Sequence, residues 1–351
     1  MTITMASMMR AQRFYADTGT VAVEDIPIPE PGPGEVLVRV AYCGICHTDL
    51  SVIDGNFPSQ QPVVTQGHET SGTVAKLGPG VAGWQVGDRV IVEAGKPCHR
   101  CDRCVRGDLA NCNQMLIMGC DYDGGWAEYT VAHSLGLTRV PDEVSMQHAA
   151  ILADAVATPF GAVVRTGRVS VGESVGIWGV GGLGSHMVQM ARLSGAAPIV
   201  AVDTNPAVLE RAVSLGADYA FDARDENLAS RITEATQGKG LDVTFDAVGR
   251  NASFQQALEN TARSGRLVLV GLSADSPSLG TTSEFGVSRK QILAHLGYQN
   301  SDVAILAGLV ARGRLDLSQS ISEIVPLDQV AAGIDRLVRQ EGNPIRILVQ
   351  P

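Results

Sequence analysis

The chain has 351 residues, of which 45% are hydrophobic, so it is long and apolar enough for two domains of ordinary size. Its net charge of −10 argues against nucleic acid or an anionic membrane as the main partner. No apolar run reaches the roughly 20 residues that span a bilayer, so we expect no transmembrane helix.

The start of the chain and its cysteines indicate a compartment. The first ten residues lack the basic start and the long apolar stretch of a signal peptide, and we interpret them as a loose leader. Seven cysteines are present, and four of them are grouped as metal ligands would be. Because free thiols persist in a reducing environment, this cysteine usage favours the cytoplasm.

The first part of the chain, from Gly34 to about Arg139, predicts a β-rich domain that is not a parallel sheet. Short runs of β-branched residues are broken there by glycine and proline. The clearest predicted strands span residues 35–41, 71–77, 88–92 and 126–131.

The pattern changes near Val144, where a predicted helix over residues 145–157 leads into alternating strands and helices. That alternation is what a doubly wound parallel sheet requires. The predicted strands are 174–178, 199–203, 219–222, 243–248, 267–271 and 292–296, and the predicted helices are 182–194, 207–215, 226–236 and 252–261.

After about Gly297 the sequence predicts two amphipathic helices, 301–311 and 327–339, and a last strand, 345–349. No partner for this strand stands nearby in sequence, so we expect the C-terminal tail to rejoin the N-terminal domain. The predicted fold class is therefore α/β, with two domains. The first comprises residues 1–155 and 297–351, and the second comprises residues 156–296.

Two short segments carry ligands suited to a metal site with an open position. Cys46 lies in Cys-Gly-Ile-Cys-His-Thr-Asp, and His68 lies in Gly-His-Glu. A catalytic zinc needs about three protein ligands and one open position, and Cys46 and His68 are candidates for two of them. Two alternatives stay open. Cys43 and Cys46 have the spacing of a redox pair, although no βαβ unit surrounds them, and His68 alone is equally consistent with a core histidine.

Four further cysteines predict a second, closed metal site in a lobe over about residues 95–113. Two residues separate the first three cysteines from one another, and seven separate the third from the fourth. Four thiolates favour tetrahedral zinc and leave no open position, so this zinc is predicted to be structural. The alternative is a disulfide cluster. The ligands are Cys98, Cys101, Cys104 and Cys112.

A glycine-rich loop predicts a dinucleotide site in the second domain. Gly179 allows a tight turn, Gly181 lets the backbone approach a pyrophosphate, and Gly184 lets helix and strand pack closely. The motif alone is weak, and a flavodoxin-like turn with incidental glycines is the alternative. Here it follows an apolar strand, opens a helix and precedes an acidic strand end. The loop comprises Gly179, Val180, Gly181, Gly182, Leu183 and Gly184.

The acidic residue at that strand end, Asp203, predicts the choice of cofactor. Its carboxylate would accept hydrogen bonds from the adenosine ribose hydroxyls and would repel a 2′-phosphate. The next residues, Thr204, Asn205 and Pro206, offer no cation. We therefore expect NAD rather than NADP.

Together these motifs identify a family. The chain resembles the zinc-dependent alcohol dehydrogenases of the medium-chain dehydrogenase/reductase superfamily from Val36 to Val349. The resemblance implies a β-rich GroES-like catalytic domain, a Rossmann domain, two zinc ions per subunit and a homo-oligomer, either dimer or tetramer. It rests on Gly-Ile-Cys-His-Thr-Asp, Gly-His-Glu, the four-cysteine lobe, Gly-Val-Gly-Gly-Leu-Gly and the ending Gly-Asn-Pro-Ile-Arg.

The resemblance also assigns roles to individual residues. Cys46 and His68 would bind the catalytic zinc, with Glu69 beside it. Thr48 would touch the substrate hydroxyl, and Asp49 would orient His68. The cofactor residues would be His47 and Arg346 at its phosphates, Thr158 against the nicotinamide, and Val270 in the predicted strand 267–271.

The chain departs from the family pattern at three places. Asp154 stands where many members have a third zinc ligand, cysteine, and a subset of the family resembles this chain in using aspartate there. Ser51 stands where many have a relay histidine. Glu93 and Ala94 replace an aromatic residue of the substrate pocket, which implies a wider or more polar pocket.

The predicted reaction is the reversible oxidation of a small-molecule alcohol to an aldehyde or ketone, with hydride passing to NAD. One alternative is a dehydrogenase of a cyclic or CoA-linked hydroxyl group. A second is a zinc-free quinone reductase-like NADPH enzyme, and a third is a non-catalytic nucleotide-binding protein. Cys46, His68 and the cysteine lobe argue against the zinc-free enzyme.

Overall fold

The computed structural model describes residues 7–57, 59 and 61–351. The described chain forms two compact units. The first contains the residues up to Ala157 and those from Gln299 to Pro351, and the second contains Thr158–Tyr298. Residues 1–6 of the predicted leader lie outside the described part.

The first unit is built mainly on antiparallel strands. The central strand of its largest sheet, β3, pairs with β5 on one side, and β5 pairs with β6. This agrees with the predicted β-rich, non-parallel domain. The strands are β1 (Met8–Tyr15), β2 (Thr20–Pro27), β3 (Glu35–Ile45), β4 (Val63–Val64), β5 (Glu69–Leu77), β6 (Arg89–Val92), β7 (Gly95–Lys96), β8 (Leu116–Ile117), β9 (Tyr129–His133) and β10 (Leu137–Arg139).

The hairpin of β1 and β2 corrects the predicted loose leader, because residues 8–10 belong to β1. The two strands are antiparallel, with Met8 opposite Pro27, and β4 extends the sheet on the other side of β1. Met9, Ala11 and Phe14 of β1 are buried. This nearly alternating burial is the period-2 signal of a half-buried strand, which the leader interpretation overlooked.

The helices of the first unit that precede the second unit are short. Two of them, α1 and α2, were absent from the sequence prediction, since four to seven residues are too few to show a helical repeat. They are α1 (His47–Ile53), α2 (Asp102–Val105) and α3 (Met146–Ile151).

A regular helix was expected over residues 145–157, but the helix that begins at Met146 is irregular. After α3 it passes through a π-helical segment, Leu152–Val156, then α4 (Ala157–Phe160) and a second π-helical segment, Gly161–Thr166. The whole stretch is long and apolar enough to cross a membrane by length and composition. However, 78% of its most apolar window is buried, as in a protein core, so it is weak support for a membrane span.

The second unit is a six-stranded parallel sheet with the strand order β13-β12-β11-β14-β15-β16. This confirms the predicted doubly wound Rossmann fold. Trp178, Val200, Phe221 and Leu267 are among the core residues of this sheet. Its strands are β11 (Val175–Trp178), β12 (Ile199–Asp203), β13 (Tyr219–Asp222), β14 (Leu241–Asp246), β15 (Thr261–Leu269) and β16 (Gln291–Ala294).

The helices of this unit follow the predicted ones within a few residues, with one addition. Helix α9 was not predicted, because it lies in a largely exposed segment whose glycine and serines hide the apolar repeat. The helices are α5 (Gly182–Leu193), α6 (Pro206–Ser214), α7 (Leu228–Ala235), α8 (Asn251–Asn260) and α9 (Thr282–Ser288).

The C-terminal segment returns to the first unit, as the sequence predicted. It forms α10 (Asn300–Ala311), β17 (Glu323–Pro326), α11 (Val330–Arg339) and β18 (Ile347–Gln350). Strand β18 pairs antiparallel with β3, so that Ile347 faces Ile45. It also pairs in parallel with β17, which corrects the expectation that the last strand has no partner nearby in sequence.

Candidate functional site

The first candidate site joins three parts of the first unit. Cys46 follows β3, His68 directly precedes β5, Glu69 begins β5, and Asp154 lies in the first π-helical segment. The antiparallel register aligns Gly44 with Glu69, which brings the end of β3 to the start of β5. One ligand atom from each of these four side chains lies within 4.8 Å of all the others.

Asp154 is close to both predicted zinc ligands. Its Oδ2 lies 3.6 Å from the sulfur of Cys46 and 3.6 Å from Nε2 of His68. A π-helical turn inserts one extra residue into a helix and is often found at functional sites. The residue that departs from the family pattern is therefore the one that the irregular helix carries to Cys46 and His68.

Asp49 connects the backbone of Cys46 with the ring of His68. Its Oδ2 accepts a hydrogen bond from the Cys46 amide at 2.9 Å, and its Oδ1 lies 3.3 Å from Nδ1 of His68. The side chain of Asp49 is fully buried. A carboxylate on Nδ1 leaves Nε2 directed at the other ligands, which is the geometry that the predicted orienting role requires.

Glu69 is paired with a buried arginine. Nη2 of Arg346 lies 3.0 Å from Oε1 of Glu69, and Nη1 of Arg346 donates to the Ile45 carbonyl at 3.2 Å. A Cβ atom on Gly44 would collide with the Glu69 carboxylate, so Gly44 makes the space that this side chain occupies. Arg346 is only 2% exposed, and its assigned contact with cofactor phosphates stays a prediction.

The charges in this site favour a cation. Burial raises the pKa of Glu69 to about 8, although Arg346 opposes this. Burial lowers the pKa of His68. The negative charges and hydrogen bonds of Asp49 and Asp154 together raise it by more than burial lowers it, so the pKa lies well above its usual value. The four side chains supply one thiol, one imidazole and two carboxylates to the space between them. A zinc ion there would take the place of the proton on His68. The side chains present therefore fit zinc.

The residues at the start of α1 lie in different environments. The hydroxyl of Thr48 is 3.7 Å from the Cys46 sulfur, whereas the hydroxyl of Ser51 donates to the His47 carbonyl at 3.1 Å. Desolvation lowers the pKa of His47, and the positive charge of Arg346 lowers it further. The His47 ring therefore holds its proton less tightly than a free histidine does.

The second candidate metal site is the four-cysteine lobe. The Cys98 and Cys104 sulfurs are 4.0 Å apart, and those of Cys101 and Cys112 are 3.9 Å apart. Four sulfurs at about 2.3 Å from a central zinc would be roughly 3.8 Å apart. None of the seven cysteines, all in the described part of the chain, forms a disulfide, which argues against the alternative. Backbone amides of Cys104 and Asn113 lower the pKa of Cys101 to about 6.

The glycine-rich loop of the second unit connects β11 to α5. Gly179 has a φ of +83°, and a Cβ atom on Gly184 would collide with the Gly179 carbonyl. A Cβ atom on Gly181 would meet nothing within 4 Å. The open space at Gly181 is where the sequence argument expects a pyrophosphate. The loop therefore fits a dinucleotide, with Gly182 and Leu183 in the first turn of α5.

Asp203 ends β12 beside this loop. Its Oδ2 accepts the Val180 amide at 2.8 Å, which ties the acidic residue to the glycine-rich turn. Two arginines correct the expectation that no cation lies near Asp203. Arg224 donates to the Thr204 carbonyl at 2.6 Å, and Arg211 lies within electrostatic range of Asp203. Both follow Asp203 by eight or more residues, so inspection of the next three residues missed them.

The remaining predicted residues are placed as follows. The Thr158 carbonyl is 3.0 Å from Nε2 of His295, and Val270 follows β15, where its amide donates to the Asp246 carbonyl at 2.9 Å. Burial raises the pKa of Glu93 to about 8, and the hydroxyl of Thr138 lies 3.4 Å from its carboxylate. The roles assigned to Thr158, Val270 and Glu93 stay predictions.

Comparison with known proteins covers both units. Residues 32–142 match the family model described as the alcohol dehydrogenase GroES-like domain, and residues 182–312 match the one described as zinc-binding dehydrogenase. An alcohol dehydrogenase of Geobacillus stearothermophilus is 33% identical over 92% of this chain and 94% of its own. An L-threonine 3-dehydrogenase of Pyrococcus horikoshii is 35% identical over 76% of each chain.

A solved structure from Sinorhizobium meliloti 1021, described as a zinc-binding dehydrogenase bound to NADP, has a TM-score of 0.90 at 28% identity. The match covers 98% of this chain and 100% of that one. These relatives confirm an alcohol–carbonyl oxidoreductase with zinc, a nicotinamide cofactor and a small-molecule substrate. The chain belongs to the zinc-dependent alcohol dehydrogenases of the medium-chain dehydrogenase/reductase superfamily.

Proposed function

We propose that this enzyme uses NAD to oxidise a small alcohol reversibly at a zinc ion held by Cys46, His68 and Asp154. The observation that carries the proposal is the convergence of these side chains and Glu69 within 4.8 Å. Asp49 supports the set by binding the Cys46 amide and facing the His68 ring. Glu69, paired with Arg346, is a neighbouring carboxylate and the next candidate ligand.

Zinc, when bound, supplies a Lewis acid that lowers the pKa of a substrate hydroxyl and polarises a carbonyl in the reverse direction. The protein's own contribution is to hold and move the proton. The Thr48 hydroxyl, 3.7 Å from the Cys46 sulfur, is the group proposed to accept a hydrogen bond from the substrate and pass its proton on. Ser51 hydrogen-bonds to the His47 carbonyl instead, which supports a route to solvent without a relay histidine.

Two zinc ions are expected in each subunit, because the chain has two separate ligand sets. Mass spectrometry of the metal after extensive dialysis should find about two zinc ions per chain. Cys46→Ala should lower this ratio to about one with the fold retained, whereas Cys104→Ala should destabilise the fold. A ratio near one in the unmodified protein would contradict one of the two sites.

NAD is expected to be preferred over NADP, because the Asp203 carboxylate, which is bonded to the glycine-rich loop, would repel a 2′-phosphate on the adenosine ribose. Asp203 alone would give a preference of roughly a hundredfold in kcat/KM. Arg211 and Arg224 should reduce it, although Arg224 forms a 2.8 Å ion pair with Asp222. We therefore expect about tenfold or more, with Asp203→Ala narrowing the difference and Arg224→Ala widening it. Equal kcat/KM values in the unmodified enzyme would contradict the assignment of Asp203.

The substrate is proposed to be a small alcohol of the kind named for the relatives. Those relatives include an alcohol dehydrogenase and an L-threonine 3-dehydrogenase. A panel of alcohols, aldehydes and ketones, followed by NADH absorbance with and without a chelator, tests this proposal. Turnover that the chelator abolishes supports it. Turnover only of cyclic or CoA-linked hydroxyl compounds would favour the alternative substrate class, and none at all would favour a nucleotide-binding protein.

A homo-oligomer in the cytoplasm completes the proposal. Strand β16 is the edge of the parallel sheet, and apolar side chains are exposed in the segments on either side of it: Leu272, Leu279, Val287 and Leu296. An open edge with apolar neighbours supports pairing with a second copy. Seven cysteines without a disulfide support a reducing compartment. Light scattering in solution measures the oligomeric state.

A further inference from the structure

Two glutamines of the first unit are completely buried, although neither belongs to the predicted site. Gln12 lies in β1 and Gln66 lies two residues before His68, and both have an exposed fraction of 0%. Burying a side-chain amide costs free energy unless its oxygen and nitrogen both find partners. Two such residues in one place therefore need a structural reason.

Two hydrogen bonds join these residues, one between the side chains and one from the Gln66 backbone to the Gln12 side chain. Nε2 of Gln12 donates to Oε1 of Gln66 at 3.1 Å, and the backbone amide of Gln66 donates to Oε1 of Gln12 at 2.9 Å. Because a backbone amide can only donate, the oxygen of Gln12 must face it. That requirement fixes the orientation of both side-chain amides.

Gln66 then reaches the candidate zinc site. Its Nε2 donates to the backbone carbonyl of Asp49 at 3.0 Å, and its own carbonyl accepts the Trp126 amide at 3.0 Å. Every polar group of Gln66 is thus engaged, and one of its bonds ends on the residue that faces His68. The pair links β1 to α1 and to the segment that leads into His68.

We propose that Gln12 and Gln66 form a positioning unit that holds Asp49, and through it His68 and the Cys46 amide, in the geometry for zinc. The inference rests on the proposed function of the Cys46 and His68 site. The outer partners of a metal site typically contribute 10- to 100-fold in affinity, by orienting the ligands. Gln66 acts one bond further out than Asp49, so its contribution should fall near the lower end of that range.

A purely structural role for the pair makes a different prediction. In that case, loss of the pair would lower the stability of the fold without changing the geometry at the metal. The hydroxyls of Thr244 and Thr261 offer a matched control, because they form a buried 2.7 Å hydrogen bond within the second unit. Thr244→Val removes one partner of that bond far from any metal ligand in sequence and in a separate compact unit.

The test compares Gln66→Met, Gln12→Met and Thr244→Val with the unmodified holoenzyme. Zinc loss to a chelator is followed for each protein, and the visible spectrum is recorded after Co²⁺ replaces the zinc of the Cys46 site. Cobalt bands report the geometry of the ligands independently of activity. Gln66→Met should release this zinc about tenfold faster and shift the cobalt bands, Gln12→Met should do so to a smaller extent, and Thr244→Val should change neither.

The outcomes separate the two levels of the argument. An unmodified protein that holds zinc only in the four-cysteine lobe would contradict the proposed function itself. An unmodified protein with both zinc ions, combined with wild-type zinc retention and cobalt bands in Gln66→Met and Gln12→Met, would overturn the positioning role. If Gln66→Met does not fold, Gln12→Met decides the question. This variant keeps the hydrogen bond from Gln66 to the Asp49 carbonyl and removes only the bonds between Gln12 and Gln66.

Discussion

Replacing Asp154 with alanine should release the catalytic zinc and lower turnover by more than about a hundredfold, while the fold and the structural zinc persist. A directly bound ligand should matter more than outer partners, whose loss costs roughly 10- to 100-fold. Asp154 lies 3.6 Å from both the Cys46 sulfur and His68, with a side chain only 15% exposed. Metal content and kcat, measured on the same preparation, check this prediction.

Asp154→Cys is the matched variant, because cysteine stands at this position in many members that the chain resembles. It should keep zinc near the wild-type ratio and retain much of the activity. The zinc content and turnover of Asp154→Asn should lie between those of Asp154→Cys and Asp154→Ala. If Asp154→Ala keeps both metals and full turnover, Asp154 is not a ligand. Glu69, which belongs to the same group of four side chains, then becomes the candidate to test.

Thr48→Ala should lower turnover by roughly a hundredfold or more, the scale expected when a positioned proton-transfer group is lost. The threonine hydroxyl lies 3.7 Å from the Cys46 sulfur, and it is the group proposed to hydrogen-bond the substrate hydroxyl. Metal content should not change, because Thr48 supplies no ligand. The pH dependence of kcat, measured for Thr48→Ala and Thr48→Ser, separates loss of the hydroxyl from loss of the methyl group.

Ser51→Ala is the control for a relay. Its hydroxyl already donates to the His47 carbonyl within α1, and serine cannot act as a base near neutral pH, so the loss should be less than about tenfold. Ser51→His should raise the rate of alcohol oxidation at low pH where the ring fits. A loss in Ser51→Ala as large as that in Thr48→Ala would show that the serine is an essential relay member.

Much of the fold was predictable because its signals are local. The alternation of apolar strands and amphipathic helices after Val144 predicted the parallel sheet, and the observed strands 199–203 and 219–222 have the predicted bounds. The first hairpin, by contrast, was not predicted, and residues 8–10 of β1 were interpreted as part of a leader. Its buried face becomes apparent only when Met9, Ala11 and Phe14 are seen against neighbouring strands.

Some features of the candidate site were likewise predictable from local sequence, and others depend on the tertiary structure. Residue type and short spacing determined the four-cysteine lobe, the glycine-rich loop and the choice of Cys46 and His68, because each is a local chemical pattern. Asp154 was expected beside Cys46 only from the family resemblance, and the tertiary structure brings it, 108 residues along the chain, to 3.6 Å from the Cys46 sulfur. Only the tertiary structure could show that Arg224 reaches the Thr204 carbonyl from the end of β13 and that Gln12 lies beside Gln66. Contacts between distant parts of a chain are set by strand register and helix packing, and short-range sequence patterns do not specify these.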